Sequence, residues 1–318
     1  MKKNDKIFVA GHRGLVGSAV VQKLKNEGYD NLILKTRNEL DLINQAAVAA
    51  FFQNERPDYV ILAAAHVGGI LANLTYQANF LYDNLMIQSN VIWNAHQYGV
   101  KKLLFLGSSC IYPRDCPQPI REEYLLGGKL ESTNEGYAIA KIAGMKLCEK
   151  IYEQYSKQFI SCMPTNVYGT NDNFHPEHSH VIPGLIQKIH AAMIENKPEV
   201  KLWGNGMVKR EFLYADDLAD AIYFIMQYYE DKLFLNVGTG EEITIKEVAH
   251  LIAELLGYKG ALIFDKTHPD GTPRKLLDLT RLHALGWKHK ISLKEGLGKV
   301  IDYYITYGAN ARFSITEW

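Results

Sequence analysis

Cysteine is scarce in this sequence: Cys110, Cys116, Cys148 and Cys162 are the only four, and no two form a C-x-x-C pair. So few thiols in a chain of 318 residues argue against a disulfide framework and for a reducing compartment. An excess of charge is also missing. The 35 basic residues are matched by 35 acidic ones with no run of one sign, so neither nucleic acid nor a membrane surface is an expected partner. No apolar stretch approaches the roughly 18 residues of a membrane span. The charged start Met1-Lys-Lys-Asn-Asp-Lys6 is followed by an apolar run, Ile7 to Ala10, too short for the core of a signal peptide. With no repeat or low-complexity linker either, a cytoplasmic protein of more than one lobe is expected, since domains run about 100 to 200 residues.

What is present centres on Tyr137-Ala-Ile-Ala-Lys141, inside a run rich in Ala, Ile, Leu and Lys that predicts a helix. Residues i and i+4 share a helix face, so a phenol meets an ammonium. The ammonium is expected to stabilise the phenolate and lower the Tyr137 pKa from its ordinary value near 10, making the hydroxyl a proton donor near neutral pH. Alone, Y-x-x-x-K more often describes a surface Tyr lying on a Lys stem. The surrounding chain changes that reading.

Lys6 to Ala10 predicts a buried strand, followed by Gly11-His-Arg-Gly14-Leu-Val-Gly17 and an amphipathic helix to about Gly28. Strand, glycine turn and helix together form a dinucleotide-binding context: glycine lets the backbone approach a pyrophosphate, whose charge sits at the helix N-terminus. The spacing G-x-x-G-x-x-G departs from G-x-G-x-x-G and leans toward short-chain dehydrogenase/reductases. The next predicted strand, Asn31 to Lys35, ends in Thr36-Arg37, where an NAD enzyme would present a carboxylate. Arg37, helped by Arg13, would grip a 2′-phosphate and so predicts NADP(H); with Glu39 and Asp41 close by, a surface salt-bridge Arg is the alternative.

Strands are further predicted at 59–65, 102–106, 159–163 and 233–237, with helices between, including one from about Phe80 to Gln97. This order implies a doubly wound parallel α/β sheet with ligands outside the carboxyl ends of the strands. Gly11 to Gly17, Ala63 to His66, Gly107 to Cys110 and Pro164 to Asn166 all fall at such ends. Ser108 is therefore the candidate third partner of Tyr137 and Lys141. If the segment is extended, Cys110 faces the same pocket two residues on; the alternative is a small buried hydrophobe. A smaller α/β lobe is expected from 171–211 and 241–318, with 1–170 and 212–240 forming the dinucleotide-binding domain. His175, His178 and His180 invite a zinc reading, but no H-E-x-x-H or paired cysteines accompany them, and no metal is expected.

The glycine turn, Ser108, Tyr137-x-x-x-Lys141 and Asn166-Val-Tyr-Gly169 together resemble the extended short-chain dehydrogenase/reductases acting on nucleotide sugars. Within them, the chain is similar to the epimerase-reductases of GDP-4-keto-6-deoxy-mannose. Ala63-Ala-Ala-His-Val-Gly-Gly69, Gly107-Ser-Ser-Cys-Ile-Tyr-Pro113, Asn173-Phe-His-Pro176, Ser179-His-Val-Ile-Pro183 and Pro269-Asp-Gly-Thr-Pro-Arg-Lys-Leu-Leu277 carry this narrower likeness. Asp41 departs from it, since a relative has Asn there.

The resemblance implies 3,5-epimerisation followed by NADPH-dependent reduction at C4. Cys110 would be the base, His180 the acid, Ser108 and Tyr137 the partners of the C4 oxygen, and Lys141 the group that binds the nicotinamide ribose. Cofactor contacts would come from Gly11, His12, Arg13, Gly14, Leu15, Val16 and Gly17, then Arg37, Asp41 and Leu42. Leu106, Gly107, Lys141, Pro164, Thr165, Asn166, Val167 and His180 would complete them. Lys188, Trp203, Arg210 and Asp270 would hold the GDP-sugar, although Trp203 reads equally as a packed Trp and Arg210 as an ordinary salt-bridge residue. A homodimer through the Phe80–Gln97 and Tyr137–Tyr155 helices is implied too. A 4,6-dehydratase would place an Asp-Glu pair where Ser109-Cys110-Ile111 stands, a 4-epimerase would not need the Cys and His, and a silent NADPH-sensing regulator would not need the five catalytic candidates together.

Overall fold

The computed structural model describes residues 1–176, 179–265, 267 and 272–308. Strand β1 (Ile7–Ala10) is buried along its length and leads through the glycine turn into α1 (Leu15–Asn26). The strand-to-helix step recurs through β2 (Leu32–Ile33), α2 (Gln45–Glu55), β3 (Tyr59–Leu62), α3 (Ile70–Thr75), α4 (Gln77–Gln97), β4 (Lys102–Leu106), α5 (Glu135–Tyr155) and β5 (Gln158–Pro164). Beyond it come β6 (Asn166–Tyr168), α6 (Val181–Ile194), β7 (Glu199–Trp203), β8 (Lys209–Arg210), β9 (Phe212–Tyr214), α7 (Ala215–Tyr228) and β10 (Leu235–Val237). The chain ends in β11 (Ile243–Thr244), α8 (Ile245–Leu256), β12 (Ala261–Asp265), β13 (Arg274–Lys275), α9 (Thr280–Ala284) and α10 (Leu293–Tyr307).

Six strands form one parallel sheet in the order β10-β5-β4-β3-β1-β2. The expected doubly wound fold is therefore present, and the order reverses about β1 and β3, where such sheets open a crevice. Successive strand residues point to opposite faces, and both faces are covered, so the strands are mostly apolar, with Lys102, Gln158, Ser161 and Asn236 the polar members of β4, β5 and β10. Phe8, Leu62, Phe105 and Phe159 pack with residues of α2, α4 and α5 on one face. Ile7, Val9, Leu104 and Ile160 pack with residues of α1 and α7 on the other. A third core joins Phe174, Ile186, Phe212, Val248 and Leu297 beneath the short sheets of the later chain. Leu277 and Leu279 return to the first core, and Leu282 and Trp287 to the second. No helix among the described residues is long and apolar enough to cross a membrane.

Several elements differ in extent from expectation. The predicted strand at 31–35 pairs only over Leu32–Ile33, because at the sheet edge β1 is its sole neighbour. β3 stops at Leu62, after which Ala64 packs under the glycine turn. Ser109–Ile111 form a 3-10 turn rather than an extended segment, so Ser108 and Cys110 are related by that turn.

Two glycines have opposite constraints. A Cβ on Gly17 would overlap the Gly11 carbonyl, whereas one on Gly298, in α10, would meet open space. Gly298→Ala should therefore stabilise by up to about 1 kcal/mol through helix propensity. Gly17→Ala should instead destabilise by about 1–3 kcal/mol through overpacking. Urea denaturation midpoints that moved upward in both variants would show that the turn yields freely.

Candidate active site

The dinucleotide end of the crevice is built on close backbone approach. Gly11 has φ +84°, and a Cβ there would lie 2.7 Å from the Ala64 backbone. Gly14 caps α1, and Leu15, Val16 and Gly17 form its first turn, whose N–H groups have no earlier carbonyl to bond. Beside this turn, Gly11, Lys35, Arg37, Leu42 and Ala64 line one recess. The Glu39 carboxylate is engaged by the Thr36 N–H (2.8 Å) and hydroxyl (2.6 Å). Asp41 accepts from the Ile43 N–H at 3.1 Å. His12 Nδ1 is buried with no hydrogen-bond partner among the described residues, and burial is the main cause lowering its pKa. Recess and turn thus gather backbone donors, cations and an orphaned ring nitrogen, the donor set of an anionic dinucleotide.

At the end of β4, Ser108 Oγ accepts the Cys110 N–H at 3.3 Å and starts the 3-10 turn. Gly107 makes room for the Met163 side chain and donates its N–H to Cys162 at 2.9 Å. Lys141, 3% exposed, crosses from α5 to donate Nζ to the Leu106 carbonyl at 2.8 Å. Its ammonium lies 5.6 Å from the Tyr137 ring centroid and 4.8 Å from that of Phe105. Tyr137 meets Phe80 edge-on, and Phe80 stacks on His66, whose Nδ1 is 2.9 Å from Asp83. At the neighbouring strand end, Pro164 closes β5, Thr165 and Asn166 donate side-chain hydrogen bonds to the Glu211 carbonyl (3.2 and 2.9 Å), and Val167 is half-buried.

The electrostatics correct one expectation. Burial pushes the Tyr137 pKa well above 10 instead of Lys141 drawing it down. Burial also lowers Lys141 to about 8. Desolvation outweighs the attraction because Lys141 is committed to a backbone carbonyl and lies over the ring. Tyr137 is consequently protonated across the neutral range. Cys110, 7% exposed, is pushed up by burial, against which act the Lys275 charge, a Ser108 hydrogen bond and the Lys141 charge in that order. Lys275 is thus the leading cation at the thiol, ahead of Lys141. The sequence marks Asp270 to Lys275 as a charged turn suited to phosphates or sugar hydroxyls but not as a neighbour of the thiol; Lys275 comes there with β13, which runs beside β8 with Lys275 opposite Arg210.

His180 is the N-cap of α6, at the end of a loop whose start is tied to the glycine turn by Asn171 Nδ2 donating to the Arg13 carbonyl at 2.8 Å. On the later chain, Lys188 Nζ lies 4.7 Å from the half-exposed Trp203 ring, and Arg210 Nη1 donates to the Lys209 carbonyl at 2.8 Å. Asp270 and His178 lie outside the described residues. Among those described, no group of three or more His, Cys, Asp or Glu is placed to hold a metal.

Comparison with known proteins follows the same lines. The model of the NAD dependent epimerase/dehydratase family matches residues 7–238. A putative GDP-L-fucose synthase 2 of Arabidopsis thaliana is 58% identical over 96% of this chain and 93% of its own. The GDP-L-fucose synthase of Escherichia coli K12 is 53% identical over 95% and 97%. Among solved structures, a GDP-L-fucose synthetase from Naegleria fowleri bound to NADP superposes with a TM-score of 0.90 at 29% identity, covering 98% of this chain and 96% of that one.

Proposed function

The chain belongs to the NAD dependent epimerase/dehydratase family, and from its relatives and its site we infer that it converts GDP-4-keto-6-deoxy-D-mannose to GDP-L-fucose with NADPH. The observation that carries this reading is a thiol, Cys110, on the same short turn as Ser108 and facing the Tyr137-Lys141 pair. A simple ketone reductase has no use for it.

The cofactor fits the residues present: Gly11 and Gly17 let the turn pack backbone to backbone, where a Cβ would overlap Ala64 or the Gly11 carbonyl, the N-terminus of α1 is left with free N–H groups, and Lys35 and Arg37 border the recess beside it. When bound, NADPH supplies hydride to C4. The chain's own residues do the rest. The 4-keto group acidifies the hydrogens on C3 and C5, so at each carbon in turn Cys110 as thiolate removes the proton and His180 returns one to the same carbon from the opposite ring face. The thiol then loses its proton to solvent and the imidazole regains one before the second inversion. Lys275 and Lys141 are the cations that favour that thiolate. Ser108 and Tyr137 hydrogen-bond the C4 oxygen as charge develops on it, and Tyr137 then donates its proton there. Lys141 has one N–H committed to Leu106 and two left for the ribose and the phenol side. Lys188, Trp203, Arg210 and Asp270 would hold the nucleotide, Trp203 by stacking and Arg210 by pairing with phosphate.

The four free cysteines suit a reducing cytoplasm. For the assembly, α4 and α5 pack side by side through Gln88 Nε2 and the Ala140 carbonyl (2.5 Å), yet leave Tyr82, Trp93, Ile139 and Tyr155 exposed. We propose that two copies meet there as a four-helix homodimer. Sedimentation should give a dimer at micromolar concentration, shifted to monomer by Trp93→Glu combined with Ile139→Glu; a wild-type monomer rejects the interface.

Turnover is the direct test: GDP-4-keto-6-deoxy-D-mannose should consume NADPH absorbance, and no consumption removes the reading. Cys110→Ser should stop exchange of the C3 and C5 hydrogens with deuterated water while NADPH still binds. Tyr137→Phe should slow hydride transfer by at least about 100-fold. Exchange at the wild-type rate in Cys110→Ser would reduce the protein to a ketone reductase.

Arg37 and Arg13 are assigned to the 2′-phosphate. Arg37→Ala should accordingly erode the preference for NADPH over NADH with little change in the NADH rate. Equal use of both cofactors by the wild type would contradict the assignment.

A further inference from the structure

Asp172 is a buried carboxylate that the proposed chemistry has not used. Only 4% of the residue is exposed, and such a charge is costly unless hydrogen-bonded and paired. Its Oδ1 accepts the Asn173 N–H at 2.7 Å and stands 3.8 Å from His180 Nδ1, an ion-pair separation. Its Oδ2 is buried with no hydrogen-bond partner among the described residues. The carboxylate therefore has accepting capacity to spare, and an imidazole nitrogen beside it.

The backbone around this pair is held on both sides. Asn171 Nδ2 donates to the Arg13 carbonyl at 2.8 Å and to Ser18 Oγ at 3.3 Å, fixing the residue before Asp172 to the glycine turn and α1. Phe174, fully buried, packs on Tyr304 with ring centroids 4.9 Å apart, fixing the loop to the third core. The His180 carbonyl accepts the Gly184 N–H at 3.0 Å as α6 begins. The imidazole itself keeps 47% of its side-chain surface open. With Nδ1 turned to a carboxylate, Nε2 is the nitrogen left to carry a transferable proton, the logic by which a carboxylate sets the tautomer and orientation of a catalytic imidazole.

We propose that Asp172 is a positioning residue for His180: its carboxylate orients the ring and favours the protonated form that returns hydrogen to the sugar. The proposal rests on the reading of His180 as the acid. Burial works to lower the His180 pKa, but the Asp172 carboxylate raises it on balance, and no other charged side chain among the described residues contributes. The sign follows. A protonated acid is lost as pH rises through its pKa, so a raised pKa extends epimerisation to higher pH, and neutralising Asp172 must pull that basic limb down.

The test uses the full-length enzyme with Asp172→Asn, Asp172→Glu and His180→Asn, each checked for wild-type melting and NADPH binding. The His180 ring C–H signal, identified by its loss in His180→Asn, is titrated by NMR. In parallel, deuterium-labelled inverted product is measured from pH 6 to pH 8. Asp172→Asn should lower the titration midpoint and raise the ratio of inversion at pH 6 to that at pH 8 by about three- to tenfold. Asp172→Glu, which keeps the charge, should restore both. If inversion is lost in His180→Asn but Asp172→Asn moves neither midpoint nor ratio, Asp172 is not the positioning residue. Full inversion in His180→Asn would instead overturn His180 as the acid, and the role of Asp172 with it.

Discussion

A buried ammonium joins the helix that carries Tyr137 to the strand end that carries Ser108 and Cys110. Lys141 lies almost without solvent, bonded to the Leu106 carbonyl at 2.8 Å and facing the Phe105 and Tyr137 rings. Taking such a charge out of water costs several kcal/mol in effective terms. A charge-assisted hydrogen bond and two aromatic faces offset part of that cost, and the pKa falls to about 8 under the remainder. The position of α5 on the sheet is thereby tied to the electrostatics of the site. The same dryness holds Tyr137 protonated and raises the Cys110 thiol, so ionisation of that thiol depends on nearby cations.

A second buried charge organises the crevice from beneath. Glu211, with no exposed surface, accepts N–H groups from Thr239 (2.7 Å), Gly240 (2.7 Å) and Leu277 (3.0 Å). Its backbone carbonyl takes the Thr165 and Asn166 side chains at 3.2 and 2.9 Å. One residue thus gathers the loop after β5, the turn after β10 and the return of the chain toward the first core. Burial raises its carboxyl, while the three N–H groups and Thr165 act to lower it. Gly238 is required beside it, since a Cβ there would overlap the carboxylate.

Much of this was legible from the chain alone, because the signals are local. Strand-to-helix alternation follows from hydrophobic periodicity, the glycine turn from residue spacing, and the shared face of Tyr137 and Lys141 from the pitch of one helix. The family resemblance is carried by short runs of contiguous residues, such as Gly107-Ser-Ser-Cys110. Element ends were less readable: β2 is cut to two residues by its edge position, and the turn at Ser109–Ile111 replaces an extended run.

Solvation and long-range pairing were decided only by folding. From the sequence, Lys141 predicts a lowered Tyr137 pKa, yet the folded chain raises it, because burial is a property of everything packed around the phenol. Lys275 becomes the first cation at Cys110 through the register of β13 on β8, a placement that its charged turn does not by itself reveal, and Glu211 becomes a bracket for three loops with no motif to announce it. Asp172 and His180 lie in the one connection between β6 and α6, which has no hydrophobic period to read; their facing arises from anchors on α1 and on the third core. Residue types and their spacing along one element therefore set which chemistry the chain can perform. Which charges face the thiol of Cys110 and the imidazole of His180, and how dry they are, depends on contacts between distant segments that no local pattern encodes.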